Sequence, residues 1–164
     1  MPHSVFIALG SNLGDRLANL HAAMAALTPE IFNLVCSPIY ETPPWGYLDQ
    51  PKFLNQVIQA ETDLQPVDLL SHLKRIETLL GRQPAVQYGP RLVDLDILFF
   101  DDLMVDSPPL TIPHPRLEGR GFVLLPLAQL APDLRHPVLG ITIREMLAGA
   151  NIDGISWYSQ GECS

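Results

Sequence analysis

The sequence has no apolar run approaching the ~20 residues needed to cross a bilayer. Its longest candidate, Phe122 to Ala131, is interrupted by Pro126 and Gln129. The start, Met1-Pro2-His3-Ser4, lacks the basic, then apolar, pattern of a signal peptide, so a cytoplasmic protein is expected. Cysteine is scarce. Cys36 lies in an apolar segment and Cys163 in a polar tail, and a disulfide between them is not expected in a reducing compartment. None of the five histidines stands at zinc-ligand spacing from a cysteine. Positive charge is also scarce: ten Lys and Arg against eighteen Asp and Glu give a formal charge of -8, which repels nucleic acid at long range. With 47% hydrophobic and 17% charged residues, 164 residues suit one folded domain spanning 1–164, without repeats or low-complexity tracts.

What is present is an alternation of periods. Val5 to Leu9 reads as a strand ending in the turn Gly10-Ser11-Asn12-Leu13-Gly14. Leu17, Leu20, Met24 and Leu27 recur at helical spacing after Asp15, and Thr28-Pro29 closes that helix. Phe32 to Tyr40 and Phe53 to Thr62 are predicted strands on either side of a loop. Pro66 opens a second helix with Leu69, Leu73, Ile76 and Leu80 inward, and Gly81 stops it. After a loop, Leu92 to Phe100 is a further strand. Strand, helix, strand, strand, helix, strand is the split pattern of a ferredoxin-like α+β fold: an antiparallel sheet with helices packed on it. A short extended piece at Leu103 to Val105 and helices near Arg120 to Leu130 and from about Thr142 are expected to cover the second face, as an α/β/α sandwich.

Asp94 and Asp96 carry the chemical argument. On a strand both carboxylates face one way, ~7 Å apart, with Val93, Leu95, Ile97 and Phe99 on the other face. Magnesium is commonly held by one or two carboxylates, with nucleotide phosphates and water completing its shell. Taken alone, the pair fits solubilising acids on a half-exposed strand better than a metal site. Its neighbourhood shifts that balance, because Arg82 and Arg91 precede the strand while His114, Arg116 and Arg120 follow it. Arginine forks suit phosphate oxygens, and metal plus arginine is a recurring arrangement in phosphoryl transfer. Gly10 to Gly14 is not a P-loop, since Asp15-Arg16 stands where Lys-Ser or Lys-Thr is required. The stiff loop Thr42-Pro43-Pro44-Trp45-Gly46, with Phe53 and Asn55 on one strand face, offers a ring for stacking and an amide for a heterocycle's edge. Many of the 16 prolines lie in such loops, where they reduce the entropy of ordering.

Taken together, these blocks resemble the 6-hydroxymethyl-7,8-dihydropterin pyrophosphokinase family. The resemblance covers Ala8-Leu9-Gly10-Ser11-Asn12-Leu13, Tyr40-Glu41-Thr42-Pro43-Pro44, Phe53-Leu54-Asn55, Glu77 with Gly81-Arg82, Gly89-Pro90-Arg91-Leu92-Val93-Asp94-Leu95-Asp96-Ile97, Pro113-His114-Pro115-Arg116 and Arg120-Gly121-Phe122-Val123-Leu124. It implies transfer of ATP's terminal diphosphate to the pterin hydroxymethyl group, releasing AMP, as a step of folate biosynthesis. It further implies two Mg2+ ions on Asp94 and Asp96, with Arg82 and Arg91 as catalytic cations. Leu70, Glu77, Arg82, Arg91, Ile97, Leu110, Thr111, His114 and Arg120 would serve ATP. Thr42, Pro43, Trp45, Phe53, Asn55, Tyr88 and Phe122 would serve the pterin. A monomer is expected. One departure stands out: Gln83 to Tyr88 carries no charge, where the family commonly has further basic residues and a tryptophan, so a weaker phosphate clamp is expected there. Two other classes remain to be separated. A ferredoxin-like binding module is disfavoured for RNA by the acidic balance, and a metal-dependent nucleotidyltransferase would release pyrophosphate instead of AMP.

Overall fold

The computed structural model describes residues 1–44, 49, 51–81, 92–161 and 163. Its strands are β1 (His3–Ser11), β2 (Ile31–Cys36), β3 (Ile39–Thr42), β4 (Phe53–Thr62), β5 (Asp94–Phe100), β6 (Val105–Ser107), β7 (Leu110–Ile112) and β8 (Ser156–Ser159). The helices are α1 (Arg16–Leu27), α2 (Pro66–Leu79), α3 (Gly121–Leu130) and α4 (Ile143–Ala148). A six-stranded sheet runs β5-β1-β4-β3-β8, with β2 also on β4 and every pairing antiparallel. This is the expected ferredoxin-like α+β arrangement, with β1 and β4, the opening strands of the two strand–helix–strand runs, side by side in the sheet.

Local chemistry fixes the helix ends. The Asp15 side chain accepts the Ala18 N–H at the start of α1. Pro66 occupies the first turn of α2, and Gly81 ends it at φ +95°, a conformation that favours glycine. Thr142 and Glu145 form a capping box on α4.

The two faces of the sheet bury different partners. On one, Val5, Ile7, Leu9, Leu54, Ile58, Leu95 and Ile97 pack with Leu20, Met24 and Leu27 of α1 and Leu69, Leu73 and Ile76 of α2. On the other, Phe6, Val57, Leu98 and Phe99 pack with Val123, Leu124 and Leu127 of α3 and Ile143 and Met146 of α4. The second pair of helices therefore covers the second face, as expected of an α/β/α sandwich.

Several expectations need correction. The strand expected over 32–40 is two strands, β2 and β3. Pro38 has no N–H to donate, and Ser37 instead joins β4 through its own N–H to the Val57 carbonyl and its Oγ from the Val57 N–H. Phe99 does not share a face with Leu95 and Ile97. Ile7 pairs with Ile97 but Phe6 with Phe99, so Leu98 is an extra residue, and this bulge turns both Leu98 and Phe99 to the second face. The extended piece expected at 103–105 is instead a hairpin, β6 with β7. The tail contains β8, which no local signal announced, and its return along β3 brings Cys163 to the end of β2. There Cys36 and Cys163 form a disulfide with Cα atoms 5.7 Å apart, contrary to the expectation of two unpaired thiols. Among the described residues no helix is long and apolar enough to cross a membrane.

Candidate active site

The register of three neighbouring strands lays out the floor of a cleft. Asn55 of β4 lies opposite Gly10 of β1, which in turn lies opposite Asp94 of β5; Val57, Ala8 and Asp96 form the next row. Two strand spacings put the backbones at Asn55 and Asp94 about 10 Å apart. The middle strand carries only Gly10 and Ala8 there, which leaves the floor open. A Cβ on Gly10 would stand 2.8 Å from Asn55 Oδ1, so any larger residue would have to displace the Asn55 side chain from its place over the floor. Above this floor is a cleft of about 390 Å³.

At one end the cleft is lined by Thr42, Pro43, Phe53, Asn55 and Phe122. Thr42 pairs with Phe53 across β3 and β4, and Asn55 Nδ2 donates to Thr42 Oγ1, which leaves Asn55 Oδ1 over Gly10. Phe53 comes from the sheet and Phe122 from the first turn of α3. This end is neutral and aromatic.

The other end is charged. Asp94 and Asp96 are half-buried and line the cleft from β5. Facing the same space are Lys74, Glu77, His114, Arg116 and Arg120. The loop bearing the last three is tied to the bulge of β5, since the His114 N–H donates to the Leu98 carbonyl. It then folds back through Leu117 N–H to the His114 carbonyl and Arg120 N–H to the Leu117 carbonyl. Glu77, although buried in α2, accepts the Leu95 N–H at 2.8 Å, on the residue between the two aspartates, and Lys74 Nζ lies 3.3 Å from its other oxygen. It thus joins helix to strand at the point where the carboxylates emerge. The Arg120 guanidinium lies 5.4 Å from the centroid of the Phe122 ring and links the two ends.

Burial lowers the pKa of His114, with Asp96 opposing and Arg120 and Arg116 reinforcing the shift. The neutral ring agrees with its hydrogen bond, in which Nδ1 accepts the Arg116 N–H. Arg120 is lowered by burial too, against the pull of Asp96, yet a guanidinium stays charged at neutral pH. Among the described residues no cluster of three or more His, Cys, Asp or Glu is arranged to hold a metal. Two carboxylates beside open space fit magnesium, which needs few protein ligands when phosphate oxygens and water supply the rest.

Of the residues expected from sequence, the structure brings Thr42, Pro43, Phe53, Asn55, Glu77, Asp94, Asp96, His114, Arg120 and Phe122 into one cleft. Trp45, Arg82, Tyr88 and Arg91 lie outside the described residues. Leu70, Ile97, Leu110 and Thr111 do not line this cleft: Ile97 and Leu110 are buried in the first-face core, Leu70 packs against it, and Thr111 pairs with Asp106 in the β6–β7 hairpin. Sequence reasoning passed over Lys74, Ala8 and Gly10. Lys74 had a usable signal, since it precedes Glu77 by one helical turn. Gly10 and Ala8 show as two small residues spaced by two on a strand otherwise rich in large ones.

A ferredoxin-like sheet whose cleft joins paired carboxylates and cations to an aromatic pocket is the architecture of a phosphotransferase for a small heterocycle. The family model described as 7,8-dihydro-6-hydroxymethylpterin-pyrophosphokinase (HPPK) matches residues 6–132, and the chain belongs to that family. It is 44% identical over 157 residues to the 2-amino-4-hydroxy-6-hydroxymethyldihydropteridine pyrophosphokinase of Pseudomonas aeruginosa, covering 94% of this chain and 96% of that one. The Methylorubrum extorquens protein of the same name is 42% identical over 152 residues, covering 92% and 95%. The folic acid synthesis protein fol1 of Schizosaccharomyces pombe is 42% identical over 156 residues, which are 94% of this chain but 21% of that longer protein. Among solved structures, wild-type Plasmodium falciparum HPPK-DHPS with pterin and p-hydroxybenzoate superposes with a TM-score of 0.72 at 18% identity, over 90% of this chain and 42% of that one, a likeness of fold.

Proposed function

We propose that this chain transfers the terminal diphosphate of ATP to the hydroxymethyl oxygen of 6-hydroxymethyl-7,8-dihydropterin, releasing AMP, in a magnesium-dependent reaction that serves folate biosynthesis. One observation carries the reading: a single cleft is neutral and aromatic at one end and lined with carboxylates and cations at the other, about two strand spacings apart. A flat, uncharged acceptor suits the first end and a triphosphate the second.

At the acceptor end, Asn55 Oδ1 is available to ring N–H groups because its Nδ2 is engaged by Thr42. Phe53 and Phe122 present rings from two walls, and the stiff Pro43 sets the rim. At the nucleotide end, Asp94 and Asp96 would supply hard oxygen ligands for two Mg2+ ions. When bound, these ions neutralise phosphate charge and align the triphosphate for in-line attack. Arg116, Arg120 and Lys74 offset the remaining charge, and neutral His114 offers an N–H at Nε2 to a phosphate oxygen. As the acceptor oxygen bonds to the β-phosphorus, the bond from that phosphorus to the bridging oxygen of AMP breaks. These cations meet the charge that accumulates on the leaving oxygens. No side chain in the cleft is assigned as a base, and the hydroxyl proton is released to water. Alignment and charge stabilisation supply the rate. Arg82 and Arg91 join the cation set on the strength of the resemblance alone, and on the same ground Leu70, Ile97, Leu110 and Thr111 would border adenine beyond the cleft that the described residues line. On this reading residues 1–164 act as one monomeric unit.

Product analysis tests the reading. The purified protein with ATP, magnesium and hydroxymethyldihydropterin should yield AMP and a diphosphorylated pterin, and none without magnesium. Pyrophosphate as the product would identify a nucleotidyltransferase, and no product with tight pterin binding a binding module.

A further inference from the structure

The geometry points to the C-terminal segment, residues 151–161, as a brace that positions the acceptor end of the cleft; this rests on the pterin reading of that end. No residue of the segment lines the cleft, yet it touches both walls from which the acceptor-facing side chains project. Gly121, between Arg120 and Phe122, lies so close to Asn151 that a Cβ there would collide with the Asn151 carbonyl oxygen. Three residues on, Gly154 at φ +80° abuts the opposite wall, where an added Cβ would stand 2.8 Å from Cγ of Pro43. β8 then pairs with β3, Ser156 opposite Glu41 and Trp157 opposite Tyr40, on the strand that ends at Thr42. Arg16 reinforces this edge, ion-paired with Glu41 at 2.7 Å and 5.8 Å from the Tyr158 ring centroid. Gly161 packs on the Ser37 carbonyl, and the Cys36–Cys163 disulfide holds the far end.

One short stretch of chain therefore sets the first turn of α3 against the end of β3. Those two elements carry Phe122 on one side and Thr42 and Pro43 on the other. Their spacing is the width of the acceptor pocket, and Asn151 and Gly154 are the positioning residues that define it. The nucleotide end is built from β5, the 113–120 loop and Lys74 and Glu77 of α2, and receives no such contact from Gly154. Disturbing Gly154 accordingly changes acceptor recognition and leaves ATP recognition alone.

The test compares Gly154→Ala with Gly140→Ala. Gly140 has a similar left-handed backbone at φ +74°, with nothing within 4 Å of an added Cβ. Both variants acquire the same kind of backbone strain, but only the first presses on the pocket wall. A third variant, Gly154→Asn, keeps the Cβ while tolerating the left-handed backbone better, and covers the case in which Gly154→Ala does not fold. The expected result is a fall in melting temperature for both alanine variants, larger for Gly154→Ala, whose Cβ also meets Pro43. Both Gly154 variants should raise KM for hydroxymethyldihydropterin about ten-fold, with KM for ATP unchanged, and Gly140→Ala should leave both constants unchanged. Equal pterin KM in the Gly154 and Gly140 variants, or a parallel rise of both KM values, overturns the brace. Pterin affinity is also followed by fluorescence titration. A wild-type protein that binds pterin but makes no AMP counts against the catalytic reading alone, while the titration still tests the brace.

Discussion

The two ends of the cleft share a floor but are held by different forces. At the acceptor end, position comes from sheet pairing: Thr42 opposite Phe53, Tyr40 opposite Asn55, and a side-chain bond from Asn55 to Thr42. Every described side chain lining that end is neutral. At the nucleotide end, two carboxylates face His114, Arg116, Arg120 and Lys74, and the array is fastened from behind by Glu77 on the Leu95 N–H and by the His114 N–H on the Leu98 carbonyl. A neutral site recognises its ligand by shape and hydrogen-bond pattern, which are insensitive to ionic strength. A charged site is tuned by metal, salt and protons. The contrast teaches that one small enzyme can read an uncharged ring and a polyanion side by side if the sheet keeps the two sets of groups apart.

The largest effect should come from removing one carboxylate. Asp94→Asn or Asp96→Asn is expected to lower AMP release by roughly a hundred-fold or more, with far-UV circular dichroism and melting temperature close to wild type. Near-normal turnover in either variant would break the contrast at its charged end. Next, Asn55→Ala should raise KM for the pterin by roughly ten- to a hundred-fold, the cost of an unmatched polar edge, while KM for ATP stays put. A matching rise for ATP would mean that the two ends are not independent. A smaller difference is expected from salt. Raising ionic strength from about 0.05 to 0.5 M should weaken ATP several-fold and leave the pterin KM nearly constant, because only one end depends on unscreened charge.

The smallest effect concerns His114. Its pKa is lowered in the folded protein, first by burial. The native state thus resists protonation that the unfolded chain accepts, and the stabilisation is complete above the ordinary histidine value of about 6.5 and is lost as pH falls through the folded value. Melting temperature measured without metal or nucleotide should therefore drop more steeply below about pH 6.5 in wild type than in His114→Asn. Parallel profiles would remove His114 from the account.

Where a feature depends on residues near one another in the chain, the sequence made it legible. The limits of β4, the start of α2 at Pro66 and its end at Gly81, and the shared face of Asp94 and Asp96 all follow from period and punctuation. What was missed depends on partners far away. The bulge at Leu98 exists because β5 must match β1, and nothing in Leu95 to Phe99 signals it. The break between β2 and β3 was half visible in Pro38, but its stability comes from Ser37 reaching Val57. β8 has only four residues and exists by pairing with β3, and the Cys36–Cys163 bond follows from that pairing. For the site, most residues with conspicuous chemistry were found, Lys74 excepted, whereas Gly10 and Ala8, which act by being small, acquire meaning only when Asn55 and Asp94 are seen on either side of them.

The central claim is that Asp94 and Asp96 grip the nucleotide through a divalent cation. Calorimetric titration of wild type and Asp96→Asn with α,β-methylene ATP, with and without magnesium, tests it most directly. Wild type should bind the nucleotide far more tightly when magnesium is present. In Asp96→Asn that enhancement should collapse, while metal-free binding holds or improves because a repelling carboxylate has gone. An undiminished magnesium effect in the variant would contradict the account.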